Sequence, residues 1–272
     1  MNALALLAGP RPAFIGVVHL LATPGAPHYA GSSEALLARA AEDARALVEG
    51  GVDALLVENF GDTPFFAERV RPETVATLAL ALREVRLVAG ARPVGVNVLR
   101  NDARAALGLC AAAGASFLRV NVHTGAMVTD QGLVQGRAAE TLRARARLCP
   151  AAAIFADVHV KHATPLGRES LAEAALDAWR RGGADALILT GPRTGAPPAR
   201  AELEQVRARV GACPLLVGSG LDEHNAAELL ALVEGAIVGS ALERGGEAGE
   251  PVEAARVARL RARFDAVGRA RH

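Results

Sequence analysis

Lysine is almost missing from this sequence: of 30 basic residues, 29 are arginine and one, Lys161, is lysine. Cysteine occurs three times, at Cys110, Cys149 and Cys213, with no Cys-x-x-Cys pair. An odd number of distant cysteines argues against a disulfide framework and fits reduced thiols. No uninterrupted apolar run approaches the ~18 residues of a spanning helix, so no transmembrane segment is expected. The opening Met1–Pro12 lacks a basic n-region and a small-residue cleavage site, and residues 1–13 read as a frayed leader before the first strand. Neither sign of charge dominates, the formal net charge being +1. That leaves no basic footprint for nucleic acid and no acidic tail. These absences together predict a soluble, cytoplasmic chain that does not bind nucleic acid.

What is present is alternation. The 272 residues are 51% hydrophobic and 22% charged, enough to bury a large core without disulfide or metal. Short β-branched runs read as strands at Phe14–His19, Ala54–Glu58, Val94–Val98, Phe117–Val122, Ile154–Val160, Ala186–Thr190, Leu215–Gly218 and Ala236–Gly239. Between them lie helical patterns near Ser33–Glu49, Pro72–Ala89, Ala103–Ala113, Gly136–Leu148, Glu169–Arg181, Arg200–Val210, Glu223–Leu232 and Pro251–Val267. The phrases at 51–57, 113–120 and 183–189 echo one another, as in a βα unit reused around a ring. An open nucleotide-binding sheet would need Gly-x-Gly-x-x-Gly after an early strand. The nearest match, Gly218-Ser219-Gly220, comes late, and Glu223 stands where the third glycine belongs. The expected fold is therefore α/β, a single-domain (β/α)₈ TIM barrel over residues 14–267, followed by a tail at 268–272.

In such a barrel the chemistry sits at the carboxyl ends of the strands and in the loops beyond them. The strand ends supply His19, Glu58, Asn59, Asn97, Arg119, Asn121, His123, Asp157, His159, Lys161, Thr190, Ser219 and Ser240. Side chains alternate along a strand, so Arg119, Asn121 and His123 are expected to share one face of the fourth strand and Asp157, His159 and Lys161 one face of the fifth, both sets pointing into the barrel. Two long connections, Leu20–Ser32 and His123–Gln135, follow strands and are lid candidates. Isolated polar groups here could form structural ion pairs, such as Arg119 with Asp157 or Glu58. A polar residue at every strand end points instead to a working pocket.

Lys161 stands out because arginine fills every other basic position. A lysine can shed its proton or form an imine, which an arginine cannot. The plain alternative is a lysine salt-bridged to Asp157 or Glu58. Asp157, Glu58, His19, His123 and His159 are the acid–base candidates beside it, with Asn59, Asn97, Arg119, Asn121 and Thr190 as substrate-binding groups. These carboxylates and imidazoles could also take a divalent metal, although no dense ligand motif requires one and no cofactor is assigned. His28, His224 and His272 read as peripheral, and His162 as ambiguous. A second signal is Gly218-Ser219-Gly220 after the seventh strand, with Gly239-Ser240 after the eighth. Many barrels hold phosphate on these two loops through exposed backbone N–H groups. The plain alternative is that these glycines only make tight turns.

Several longer segments resemble the BtpA family. They are Gly16–Leu21 with Pro24-Gly25, Val57–Asp62, Pro93–Asp102 (PVGVNVLRND), Arg119–Gly132 (RVNVHTGAMVTDQG), Phe155–Ala163 (FADVHVKHA) and Leu216–Gly220 (LVGSG). The resemblance runs in order over residues 14–264. It implies a barrel like those that bind ribulose phosphates. The family takes its name from a cyanobacterial factor for photosystem I accumulation, while other relatives are described as enzymes or nucleosidases. The expected function is an enzyme on a small phosphorylated sugar, nucleoside or related metabolite, working by glycosidic hydrolysis or by lysine-dependent aldol or isomerase chemistry. The competing reading is a non-catalytic photosystem I biogenesis factor. A homo-oligomer is expected on general grounds.

Overall fold

The structure is a computed structural model and describes residues 3–267. In chain order it comprises α1 (Ala3–Leu7), β1 (Ala13–His19), α2 (Ser33–Gly50), β2 (Ala54–Glu58), α3 (Pro72–Ala89), β3 (Val94–Asn97), α4 (Ala103–Ala113), β4 (Phe117–Val120), β5 (Ala126–Thr129) and β6 (Gly132–Gln135). Then follow α5 (Ala138–Leu148), β7 (Ala153–Val158), β8 (Ala163–Pro165), α6 (Leu171–Arg180), β9 (Ala186–Leu189), α7 (Arg200–Val210), β10 (Leu215–Val217), α8 (Ala226–Leu230), β11 (Gly235–Val238) and α9 (Ala254–Ala266). Eight strands close a parallel barrel in the order β1-β11-β10-β9-β7-β4-β3-β2. The three short strands β5, β6 and β8 form a separate antiparallel sheet.

The core has two layers, as strand alternation demands. One set of strand residues, including Phe14, Val18, Leu55, Leu118 and Ile154, packs against the helices. The other, including Ile15, Leu56, Phe117, Phe155, Ile188 and Ile237, fills the lower barrel. Phe117 and Phe155 stack there with ring centroids 4.8 Å apart. Gly95 on β3 makes room for them, since a Cβ at that position would lie 2.3 Å from the Phe117 ring.

Three expectations change. The stretch read as a frayed leader is ordered from Ala3: α1 buries Ala3 and Leu7 against the apolar lower barrel, which would otherwise face water. The barrel strands β4 and β7 end at Val120 and Val158, two residues short of the boundaries read from the pattern. The loop His123–Gln135 contains the β5–β6 hairpin, because Gly132 adopts the positive φ that its tight turn requires. The tail expected at 268–272, with His272, lies outside the described residues.

Candidate active site at the barrel mouth

Register sets the first row of the site. His19 on β1 pairs with Glu58 on β2, and Glu58 with Asn97 on β3, so three polar side chains ring the mouth at one level. Arg119 from β4 reaches across to them. Its Nε and Nη2 donate to Asp157 Oδ2 and Oδ1 at 2.8 and 2.9 Å, and its Nη1 donates to Glu58 Oε1 at 3.2 Å. Asn121 Nδ2 donates to Asp157 Oδ2 at 2.8 Å, and Asn97 Nδ2 to Glu58 Oε1 at 3.0 Å. Both carboxylates therefore receive charge-assisted bonds from a single buried guanidinium. Burial alone would weaken the hold of Arg119 on its proton, but Asp157 and Glu58 outweigh it. For Glu58 burial pushes the carboxyl up, and Arg119, His19 and Lys161 together hold it below the usual value.

Lys161 stands apart from this network. Its backbone N–H donates to Thr190 Oγ1 at 3.0 Å, and its carbonyl accepts from Arg100 Nη2 at 2.7 Å, so the chain holding it is pinned on both sides. Its ammonium meets no carboxylate within ion-pair distance among the described residues, because Arg119 already occupies Asp157 and Glu58. The salt-bridged alternative for Lys161 is thereby removed. Burial lowers its pKa from 10.5, the nearby Arg119 lowers it further, and Glu58 and Asp157 oppose the shift only in part.

Two cavities meet at this lysine, sharing Glu58, Arg119, Lys161 and Thr194 as their common wall. The inner lobe, about 370 Å³, is lined by Gly218, Ser219, Gly220, Gly239, Ser240 and His19. The outer lobe, about 580 Å³, is lined by Phe60, Phe65, Asn97, Arg100, Asp130 and His162 among others. In the inner lobe the glycines are needed where they stand. A Cβ on Gly220, whose φ is +68°, would lie 2.1 Å from Pro197 N, and one on Gly239 would lie 2.6 Å from the His19 ring. The backbone N–H groups of Ser219, Gly220, Ser240 and Ala241 have no backbone partner among the described residues. The Ser219 hydroxyl is committed to the loop itself, donating to Ala196 O and accepting from Gly191 N.

A family model described as the BtpA family matches residues 11–265. The chain belongs to that family. Photosystem I biogenesis protein BtpA of Synechocystis sp. is 46% identical over 243 residues, covering 89% of this chain and 84% of that one. An uncharacterised protein of Pyrococcus abyssi is 42% identical, covering 93% and 95%. An uncharacterised mitochondrial protein of Caenorhabditis elegans is 32% identical, covering 94% of each chain. Among solved structures, phosphoribosyl anthranilate isomerase from Thermus thermophilus aligns with a TM-score of 0.57 at 17% identity, covering 93% of this chain and 98% of that one. Orotidine 5'-monophosphate decarboxylase from Methanocaldococcus jannaschii gives 0.56 at 11%, covering 93% and 98%. At these identities the structural likeness shows the TIM-barrel fold alone.

In this BtpA-family barrel the mouth brings together His19, Glu58, Asn97, Arg119, Asn121, Asp157, Lys161 and the two glycine loops. Other residues expected there serve elsewhere. His123 follows the end of β4, so strand alternation no longer directs it; its Nε2 lies 2.8 Å from Gly182 O, in the helix layer. His159 takes a φ of +49° just past β7 and lines a small side pocket with Glu169 and Asp177. Asn59 ties two loops together, accepting from Leu99 N at 2.8 Å and donating to Asp62 Oδ2 at 3.0 Å. Thr190 holds the Lys161 backbone and does not line the cavities. Of the two lid candidates, only the hairpin reaches the mouth, through Asp130 and Gln131; the Leu20–Ser32 loop is tied down where Asp62 accepts from Thr23 N and Oγ1. His224, expected at the periphery, lines the inner lobe. No three His, Cys, Asp or Glu side chains converge on a metal-sized point among the described residues.

Sequence reasoning missed Glu243 and Arg100. Glu243 Oε1 lies 2.6 Å from His19 Nδ1, and its Oε2 accepts from Gly249 N at 2.8 Å. A buried carboxylate there makes Nδ1 the protonated nitrogen and leaves Nε2 free, 4.0 Å from Glu58 Oε2. The phase of a short 3₁₀ turn, Ser240–Leu242, carries Glu243 back under β1, and no strand pattern signals that.

Proposed function

We propose that this protein is an enzyme acting on a small phosphorylated metabolite of sugar or nucleoside type, with Lys161 as the reacting amine. The observation that carries the reading is the unpaired Lys161 ammonium at the junction of two lobes, with both neighbouring carboxylates already held by Arg119. An amine kept off its carboxylates and partly desolvated is suited to proton transfer or imine formation. The inner lobe supplies glycine-lined loops with free N–H groups, which suit a phosphate. Solved barrels of this fold include enzymes whose names carry phosphoribosyl and monophosphate groups, and the reading extends that chemistry to this chain.

Asp157 is a poor candidate for activating water. Its oxygens accept three bonds from Arg119 and Asn121, so it serves to position the guanidinium. His19, oriented by Glu243, and Glu58 Oε2 remain as acid and base. This arrangement favours lysine-centred aldol or isomerase chemistry over glycosidic hydrolysis, in which His19 and Glu58 would take the water.

The test is a thermal-shift panel of phosphosugars, nucleosides, nucleotides and inorganic phosphate on wild type, with and without divalent metals. Saturating ligand stabilises by mass action, about 2.7 kcal/mol at a hundredfold excess over Kd. Stabilisation by phosphorylated compounds that alteration of the Gly218–Gly220 loop abolishes supports the site. Borohydride trapping with any carbonyl-bearing hit then separates an imine on Lys161 from proton transfer alone. Silence across the panel would favour a non-catalytic biogenesis role, in line with the name of the Synechocystis relative.

A further inference from the structure

Two arginines are buried among the described residues, Arg119 at 4% exposure and Arg100 at 5%. Their surroundings differ. Arg119 is matched by two carboxylates, whereas Arg100 has none within ion-pair distance among the described residues. The side chain of Arg100 makes one hydrogen bond, from Nη2 to the Lys161 carbonyl at 2.7 Å. Its Nε and Nη1 have no partner among the described residues, and neither is sealed away from solvent. Both belong to a side chain lining the outer lobe. Asp130, the carboxylate in the same lobe, sits exposed at the hairpin tip, bonded to Gln131 Nε2 and beyond ion-pair range of Arg100.

The backbone fixes this placement. Arg100 N donates to Phe66 O at 3.1 Å, and Asp102 caps α4 while also accepting from Val70 N. The β3–α4 corner is therefore held on both sides, and the guanidinium is directed across the mouth toward the lysine. Withdrawing a guanidinium from water without a countercharge is costly, and its planar fork matches the paired oxygens of a carboxylate or phosphate.

We propose that Arg100 forms a second anion site in the outer lobe, so that the substrate carries anionic groups at both ends. The inference rests on the phosphate reading of the inner lobe and extends it. One end sits on the glycine loops, the other pairs with the Arg100 fork, and the chain between them passes under the Lys161 amine. The substrate class is then a short metabolite with a phosphate at one end and a phosphate or carboxylate at the other.

The test uses calorimetric titration of intact protein with three matched-length series: alkyl monophosphonates, α,ω-bisphosphonates and ω-phosphonocarboxylates. At the best length, the two-ended compounds are expected to bind wild type at least tenfold more tightly than the monophosphonate. Arg100→Gln removes that advantage, so that one- and two-ended compounds bind the variant alike, while Arg100→Lys retains part of it. Whichever two-ended series wins identifies the second group. Equal affinity of one- and two-ended compounds, or an advantage that survives Arg100→Gln, overturns the second site while leaving the inner lobe standing. Failure of every phosphonate to bind overturns both. Should Arg100→Gln not fold, as judged by circular dichroism, the wild-type length series decides alone.

Discussion

At the scale of single residues, the mouth assigns opposite roles to its two kinds of cation. Arg119 is a structural charge, locked between Asp157 and Glu58, and Lys161 is a free one. Asp157→Asn would leave Arg119 buried and half-paired, a loss of roughly 3–5 kcal/mol, which chemical denaturation would register. Lys161 has the reverse effect on stability. Its folded pKa lies below the ordinary 10.5, mainly through burial. Between those two values the unfolded chain binds more protons than the native one, so stability rises with pH across that window. Lys161→Met is therefore expected to melt a few degrees above wild type near neutral pH, and to lose that advantage as pH nears 10.5. Turnover should fall roughly 10²–10⁴-fold in Lys161→Arg if the amine transfers a proton, and retained turnover would remove Lys161 from the chemistry. Composition made Lys161 legible, because a lone lysine in an arginine-rich chain has escaped a strong bias. His123 and His159 were misplaced for a different reason: alternation was extended beyond the last strand residue, where the chain turns and parity is lost.

At the scale of elements, the barrel strands do the positioning and the loops after β10 and β11 do the proposed binding. Gly220 adopts φ +68° and has no room for a Cβ, while Gly239 leaves space for the His19 ring. Gly220→Ala is expected to strain the loop and weaken phosphate binding by tenfold or more, measured by titration with inorganic phosphate. Gly239→Ala should displace His19 from Glu243, visible by NMR as loss of the hydrogen-bonded imidazole Nδ1 proton signal. Unaltered binding in the first variant would move the phosphate away from these loops. The β/α periods were legible because barrel strands are short apolar runs bounded by glycine and helical caps. The β5–β6 hairpin was not, since its strands are four residues each and half exposed, and β5 takes its second partner, β8, from far along the chain.

At the scale of the whole molecule, the barrel is apolar below and charged above. Ala3 and Leu7 of α1 seal the lower end against Ile15, Phe117 and Phe155. Leu7→Ala should cost about 2–5 kcal/mol, as for other buried leucines, and leave ligand binding at the mouth intact. A loss of binding without a loss of stability would contradict this division. The closed ring was legible from eight repeats, but the plug was not, because five residues of apolar helix look the same whether frayed or docked. No helix among the described residues is long and apolar enough to cross a membrane. The proposed function requires that the mouth recognise phosphate. The most direct measurement is calorimetric titration of wild-type protein with a sugar phosphate and with the same sugar lacking phosphate. Saturable binding of the phosphorylated form, at least tenfold tighter than its parent, is the predicted result. Equal affinity for the two, or binding to neither across the phosphosugar panel, would contradict it.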